Sequence, residues 1–182
     1  MISMRPLILA LLLGAPLPGV ILTASAQGQG ASGAPAQARP IGPEDFLRLA
    51  YSSASLQAQA AQLASSRETR PEVKSYATAA VEFRKGLLQR IEAFARQSNM
   101  KLPSVKEFEH QVIIENLEPL DYLALSRRYS EVQVQAVEQE LTIYQAASQS
   151  SDQGVKSFAT QVLTELQQQR DGARRMYEAV KP

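Results

Sequence analysis

Cysteine and tryptophan are absent from the 182-residue chain, and histidine occurs once, as His110. Without cysteine there is no disulfide framework, thiolate zinc site, iron–sulfur ligation, cysteine nucleophile or cysteine-borne lipoprotein anchor. A single imidazole excludes a His-rich metal site and allows a catalytic triad to draw on one residue only. Charge of one sign is also lacking: 19 Lys and Arg stand against 18 Asp and Glu, a formal +1. That balance gives no electrostatic footprint for nucleic acid, which needs a basic face, and no Gly-rich phosphate loop occurs anywhere.

What is present begins with a targeting signal. Met1 to Arg5 carries one positive charge, Leu7 to Leu13 and Val20 to Leu22 are apolar, and Ala24-Ser25-Ala26 has the small-x-small form cut by signal peptidase. The expected signal peptide is 1–26. Gly14, Pro16, Pro18 and Gly19 interrupt the apolar stretch, which is shorter than the roughly 20 residues a bilayer span needs. The mature chain is therefore expected without a stable membrane span, periplasmic or secreted. Loss of Arg5 leaves 19 − 1 = 18 basic against 18 acidic side chains, a net charge of zero.

Residues 27–43, QGQGASGAPAQARPIGP, have no apolar period and cannot bury enough surface to offset the entropy of ordering. They read as a flexible linker, with the folded domain at 44–182. Beyond it Ala, Gln, Glu, Leu and Arg dominate, all strong helix formers, so the domain is expected to be all-α.

A first helix from Pro43 to about Ser66 carries Phe46, Leu49, Ala50, Ser53, Leu56, Ala60 and Leu63 on one stripe. Thr69-Arg70-Pro71-Glu72 has capping-box spacing with Pro in the first turn and opens a second helix. Its inward stripe, Val73, Ala77, Ala80, Arg84, Leu87, Ile91 and Phe94, has heptad, coiled-coil character and ends near Ser98-Asn99. Ser104 and Glu107 suggest a short crossing helix over Val105 to Glu115. Pro119 and Asp121 open a third long helix with Tyr122, Leu125, Tyr129, Val132, Val137, Leu141 and Tyr144 turned inward. Asp152 caps a fourth, which presents Val155, Phe158, Val162, Leu166, Ala173, Met176 and Val180. Helices of roughly 20 to 28 residues span about 30 to 42 Å, the dimensions of an up-down four-helix bundle.

The chain also repeats itself. Val73-Lys74-Ser75-Tyr76-Ala77-Thr78 recurs as Val155-Lys156-Ser157-Phe158-Ala159-Thr160, each time after a polar turn that follows a long Gln-rich helix. The second helical hairpin thus echoes the first, and a duplicated hairpin joined by a longer crossover is the layout of ferritin-like bundles. Together with the Leu102-Pro103 break and Leu120-Asp121-Tyr122-Leu123, the run from Pro71 to Ala77 and its echo at Val155 to Ala159 resemble the exported, ferritin-like family called domain of unknown function 4142. The resemblance covers about Phe46 to Tyr177.

That resemblance implies a bundle whose interior can carry acids and histidines. A member usually reads Asp-Asp-His where this chain has Glu82-Phe83-Arg84, with further histidines near Ser130 and Gln169 and acids near Gln57 and Gln59. By this resemblance the chain reads as a degenerate member that lacks those histidines. Glu82 and Glu138 alone keep an acid at matched positions. Two carboxylates without imidazole are too few for a di-metal centre, and amide and guanidinium groups are poor substitutes, so no metal or cofactor is carried over.

Arg84 on the apolar stripe either pairs inside the bundle with Glu138 or Glu165 or, the preferred reading, runs its head to the helix edge. His110 on the crossing helix reads as structural, Arg127-Arg128 and Arg174-Arg175 as solvated faces, and the tyrosines as core aromatics with wet hydroxyls. Gln57, Gln59, Gln62, Gln133, Gln135, Gln139, Gln145, Gln161 and Gln167 to Gln169 are expected on an uncharged exterior. Two functional readings follow. The favoured one is a non-enzymatic protein acting through its surfaces on an envelope partner or by self-association. The other is a ferritin-like metal or redox protein whose degenerate site rests on Glu82 and Glu138.

Overall fold

Five helices account for the residues that the computed structural model describes, 41–103 and 108–182, with side chains from 111 onward in the second segment. They are α1 (Pro43–Arg67), α2 (Pro71–Gln97), α3 (Phe108–Leu117), α4 (Tyr122–Ala147) and α5 (Gln153–Val180), and no strand occurs among the described residues. The expected signal peptide and most of the linker lie outside the described residues, as do Ser104 and Glu107.

Local chemistry sets the helix ends. α1 starts with Pro43 and carries Glu44 and Asp45 in its first turn, where acids suit the positive end of the helix dipole. α2 ends in a left-handed residue, Asn99 with φ 52°: its N–H bonds the Arg96 carbonyl, and the next N–H, of Met100, bonds that of Ala95. This is a Schellman stop with Asn in the usual glycine place. Asp152 caps α5, its Oδ1 accepting from the Val155 N–H at 2.9 Å. The capping box at Thr69 does not form; Arg70 is the N-cap and makes no side-chain cap bond, and Pro71 supplies the pre-set first turn instead.

The long helices pair antiparallel within each hairpin and between hairpins. Phe46 near the start of α1 meets Tyr144 near the end of α4, and Phe94 late in α2 stacks on Phe158 early in α5 at 4.9 Å. The chain therefore leaves α2 at one end of the bundle and begins α4 at the other, with α3 on the connection, packed on α1 and α4. At the first end Phe46, Phe94, Tyr144 and Phe158 gather with Leu87, Ile91 and Leu166. A second apolar cluster, with Val73, Leu117, Leu125, Tyr129, Val132 and Met176, fills the other end.

The expected stripe of α2 is buried at every position, Arg84 included, and Leu125, Tyr129, Val132, Val137, Leu141 and Tyr144 of α4 are buried as read from the sequence. Tyr122 is a correction: it is 75% exposed, at a left-handed φ of 49°. Arg67 holds this corner by donating to the Glu118 and Leu120 carbonyls and to Asp121, so the helix emerges rotated and its first residue points to solvent.

Candidate functional site

Between the two apolar clusters lies a polar layer. Gln57 comes from α1, where Ser53 sits one turn earlier; Arg84 comes from the centre of the α2 stripe; Gln133 and Glu140 come from α4, spaced among Tyr129, Val137 and Tyr144. Arg84, Gln57, Gln133 and Glu140 are all fully buried. Arg84 donates from Nη1 to Glu140 Oε2 and from Nη2 to Gln57 Oε1, both at 2.6 Å. Gln57 Nε2 in turn donates to Glu140 Oε2 at 2.9 Å and to Ser53 Oγ at 3.2 Å. One carboxylate oxygen thus collects two donors, and the guanidinium is forked between a charge and an amide. The guanidinium carbon also lies 4.9 Å from the centre of the Phe83 ring.

The layer is not saturated. Arg84 Nε, Glu140 Oε1, Gln133 Nε2 and the hydroxyls of Tyr129 and Tyr144 are buried without a partner. Tyr76 closes the layer toward the seam between α2 and α5. Its hydroxyl is 3.5 Å from Gln133 Oε1 and from the Gln169 carbonyl, and its ring packs on Gly172 so closely that a Cβ there would come within 3.1 Å and the ring would have to shift by a few tenths of an ångström. At the far end Glu68, 2% exposed, accepts from Ser126 Oγ at 2.7 Å, and its other oxygen is unpaired.

Burial sets the ionisation of the phenols. It pushes Tyr76 up to about 12, with Arg84 opposing and Glu140 reinforcing the shift, and drives Tyr129 and Tyr144 well above the ordinary tyrosine range. A raised pKa means the folded state keeps protons that the unfolded chain gives up above pH 10. The stabilisation is complete below that pH and is lost as pH rises toward 12. With three such groups, stability should fall by up to about 4 kcal/mol per pH unit in this window. In an ultraviolet titration of the six tyrosines, Tyr76 should ionise late, near pH 12, and Tyr129 and Tyr144 only as the helix signal is lost; smooth ionisation of all six in a folded protein would contradict it.

The sequence candidates are not brought together. Glu82 is exposed on α2, and Glu138 is half-buried on α4, where Arg174 of α5 pairs with it. Arg84 stays inside and pairs with Glu140, not with Glu138 or Glu165; Glu165 takes Arg90 in a two-point bridge at 2.7 and 2.9 Å. Gln57 and Gln133, expected outside, are fully buried, whereas Gln62, Gln135, Gln139, Gln145 and Gln161 are exposed. His110 belongs to α3, and its side chain lies outside the described ones.

As a metal site the layer does not fit. Its donors are one carboxylate and two amides, with a permanent cation already at 2.6 Å from the carboxylate. A divalent ion would have to displace a guanidinium that stays protonated at any physiological pH. Among the described residues no group of three or more His, Cys, Asp or Glu side chains could hold a metal ion, and no helix is long and apolar enough to cross a membrane.

The family described as Domain of unknown function (DUF4142) matches residues 26–176. The chain belongs to this family. No curated protein and no solved structure matches it significantly. The match spans both hairpins and the connection between them, so the polar layer lies inside the shared domain.

Proposed function

We propose that this DUF4142 member is an exported, ferritin-like bundle that acts through its surfaces in the cell envelope, on a protein partner or on itself, without enzymatic or redox chemistry. The observation that supports this is the self-contained charge at the bundle centre. The Arg84 guanidinium supplies, covalently and permanently, the positive charge that Glu140 requires inside a low-dielectric core. Exposed glutamines on α4 and α5, with paired surface charges such as Arg128 and Glu131, leave an exterior suited to neutral hydrogen-bonding contacts.

Metal loading is the discriminating measurement. After equilibrium dialysis against iron, manganese or zinc, elemental analysis of the purified domain should find metal well below one equivalent and removable by a chelator. Stoichiometric, chelator-resistant metal lost in Glu138→Gln would promote the alternative reading, a degenerate metal or redox protein. Export has its own readout: the mature form isolated from the envelope fraction should begin at Gln27, and one still beginning at Met1 would remove the localisation. Crosslinking in that fraction, followed by mass spectrometry of the adducts, then addresses the partner.

A further inference from the structure

The repeat and the polar layer meet at one place in the bundle. Tyr76 and Phe158 are equivalent in the repeat, an offset of 158 − 76 = 82 positions, and the same offset carries Arg84 onto Leu166. In space α2 and α5 run antiparallel: Tyr76 lies against Gly172 at one end of the pair and Phe94 stacks on Phe158 at the other. Midway between these contacts, Arg84 and Leu166 stand at the same level. The two hairpins, α1–α2 and α4–α5, are therefore related by an approximate two-fold axis that passes at the height of Arg84 and the layer around it.

Such an arrangement carries an ambiguity. If two similar hairpins pack about a two-fold axis, a hairpin has nearly the same surface to offer a copy of itself from a second chain, because a two-fold interface is self-complementary. The apolar faces discriminate weakly over the repeated turns, where Val73, Tyr76, Ala77 and Ala80 of α2 fall on Val155, Phe158, Ala159 and Val162 of α5. The charges discriminate strongly. Pairing α1–α2 with another α1–α2 would set Arg84 against a second Arg84 across the axis. Pairing α4–α5 with another α4–α5 would bring two copies of Glu140 into one layer. Both residues are fully buried in the chain's own pairing, so either like-with-like arrangement would confine two equal charges without water or counter-charge.

We propose that the Arg84–Glu140 pair is a selector that makes each hairpin recognise the other kind and rejects a second copy of its own kind. Gln57 belongs to the same device: it is held by Arg84 through its oxygen and by Glu140 through its nitrogen, so only the unlike pairing satisfies both ends of its amide. The selector permits two assemblies, the single chain folded on itself and two chains that exchange hairpins reciprocally, because each keeps every Arg84 beside a Glu140.

Charge-reversed variants of the full mature chain test this. R84E places two carboxylates in its own layer and E140R two cations, so each alone should lose its sharp thermal transition or its monomeric state. Refolded together, they should form a one-to-one heterodimer, visible by native mass spectrometry, in which each hairpin finds its opposite in the other chain. R84E/E140R in a single chain should refold as a monomer. R84L/E140L, in which neither hairpin is rejected by charge, should raise the dimer fraction on refolding by about tenfold or more over the natural chain. The proposal is overturned if mixing R84E with E140R restores no more structure than either has alone, or if R84L/E140L refolds solely as a monomer.

Discussion

Replacing Arg84 with leucine is expected to lower the free energy of unfolding by about 3 to 5 kcal/mol, although leucine is an ordinary core residue and the repeat carries Leu166 at the matching place. The loss does not come from packing. Glu140 is fully buried, and its Oε2 would keep only the Gln57 amide donor; its Oε1 has no partner even in the native layer. A carboxylate stranded in the core must stay charged at high cost or take up a proton, and Gln57 Oε1 loses its donor as well. The double variant R84L/E140L removes both charges and should recover most of the loss, because a buried ion pair exchanged for apolar side chains of similar volume is often neutral. Urea unfolding of the natural chain, the two single variants and the double variant forms a cycle with an expected coupling of about 2 kcal/mol or more. A cost below about 1 kcal/mol for R84L would mean that Glu140 is reached by water and that the layer is open rather than sealed.

How far the sequence exposes this architecture differs from helix to helix. In α2 the apolar residues recur every three or four positions from Val73 to Phe94, and Arg84 falls on that row, so its burial was readable from spacing alone. Its head stays inside rather than at the helix edge because two acceptors from other helices, Glu140 and Gln57, take its two Nη groups. Those acceptors were harder to see. In α4 the polar residues Gln133, Gln135, Glu138, Gln139 and Glu140 are interleaved with Val134, Ala136 and Val137, and which of them face inward depends on the rotation of the helix. The anchors Tyr129 and Tyr144 set that rotation: Gln133 stands four residues after the first and Glu140 four before the second. Glu138 is a candidate both as a family-matched acid and as a partner for Arg84, and the rotation places it half-exposed beside Arg174. The same periodicity extended back from Tyr129 puts Tyr122 inside. It fails there because Arg67 holds the preceding turn and forces a left-handed residue, a cost of roughly 1 to 3 kcal/mol that only the whole fold supplies.

Truncating Phe158 to alanine should cost about 3 to 5 kcal/mol, and truncating its repeat counterpart Tyr76 somewhat less. Phe158 is half-buried, stacks on Phe94 at 4.9 Å and sits 6.1 and 6.5 Å from the rings of Phe46 and Tyr144, so its loss removes aromatic packing where all four long helices meet. Tyr76 has one aromatic neighbour, Tyr129 at 6.4 Å, together with the backbone of Gly172, and its hydroxyl contacts at 3.5 Å are too long to add much. Tyr76→Phe should therefore stay within about 1 kcal/mol of the natural chain, while Gln62→Ala on the exposed face of α1 should change stability by no more than about 0.5 kcal/mol. The two aromatics belong to different apolar clusters, with the Arg84 layer between them. Their effects should accordingly add to within about 0.5 kcal/mol in the double truncation, as expected for separated sites with no shared partner. A coupling well above that value, measured by thermal and urea unfolding, would mean that the two ends rearrange together through the layer, and the picture of two apolar ends insulated by a rigid central ion pair would have to be given up.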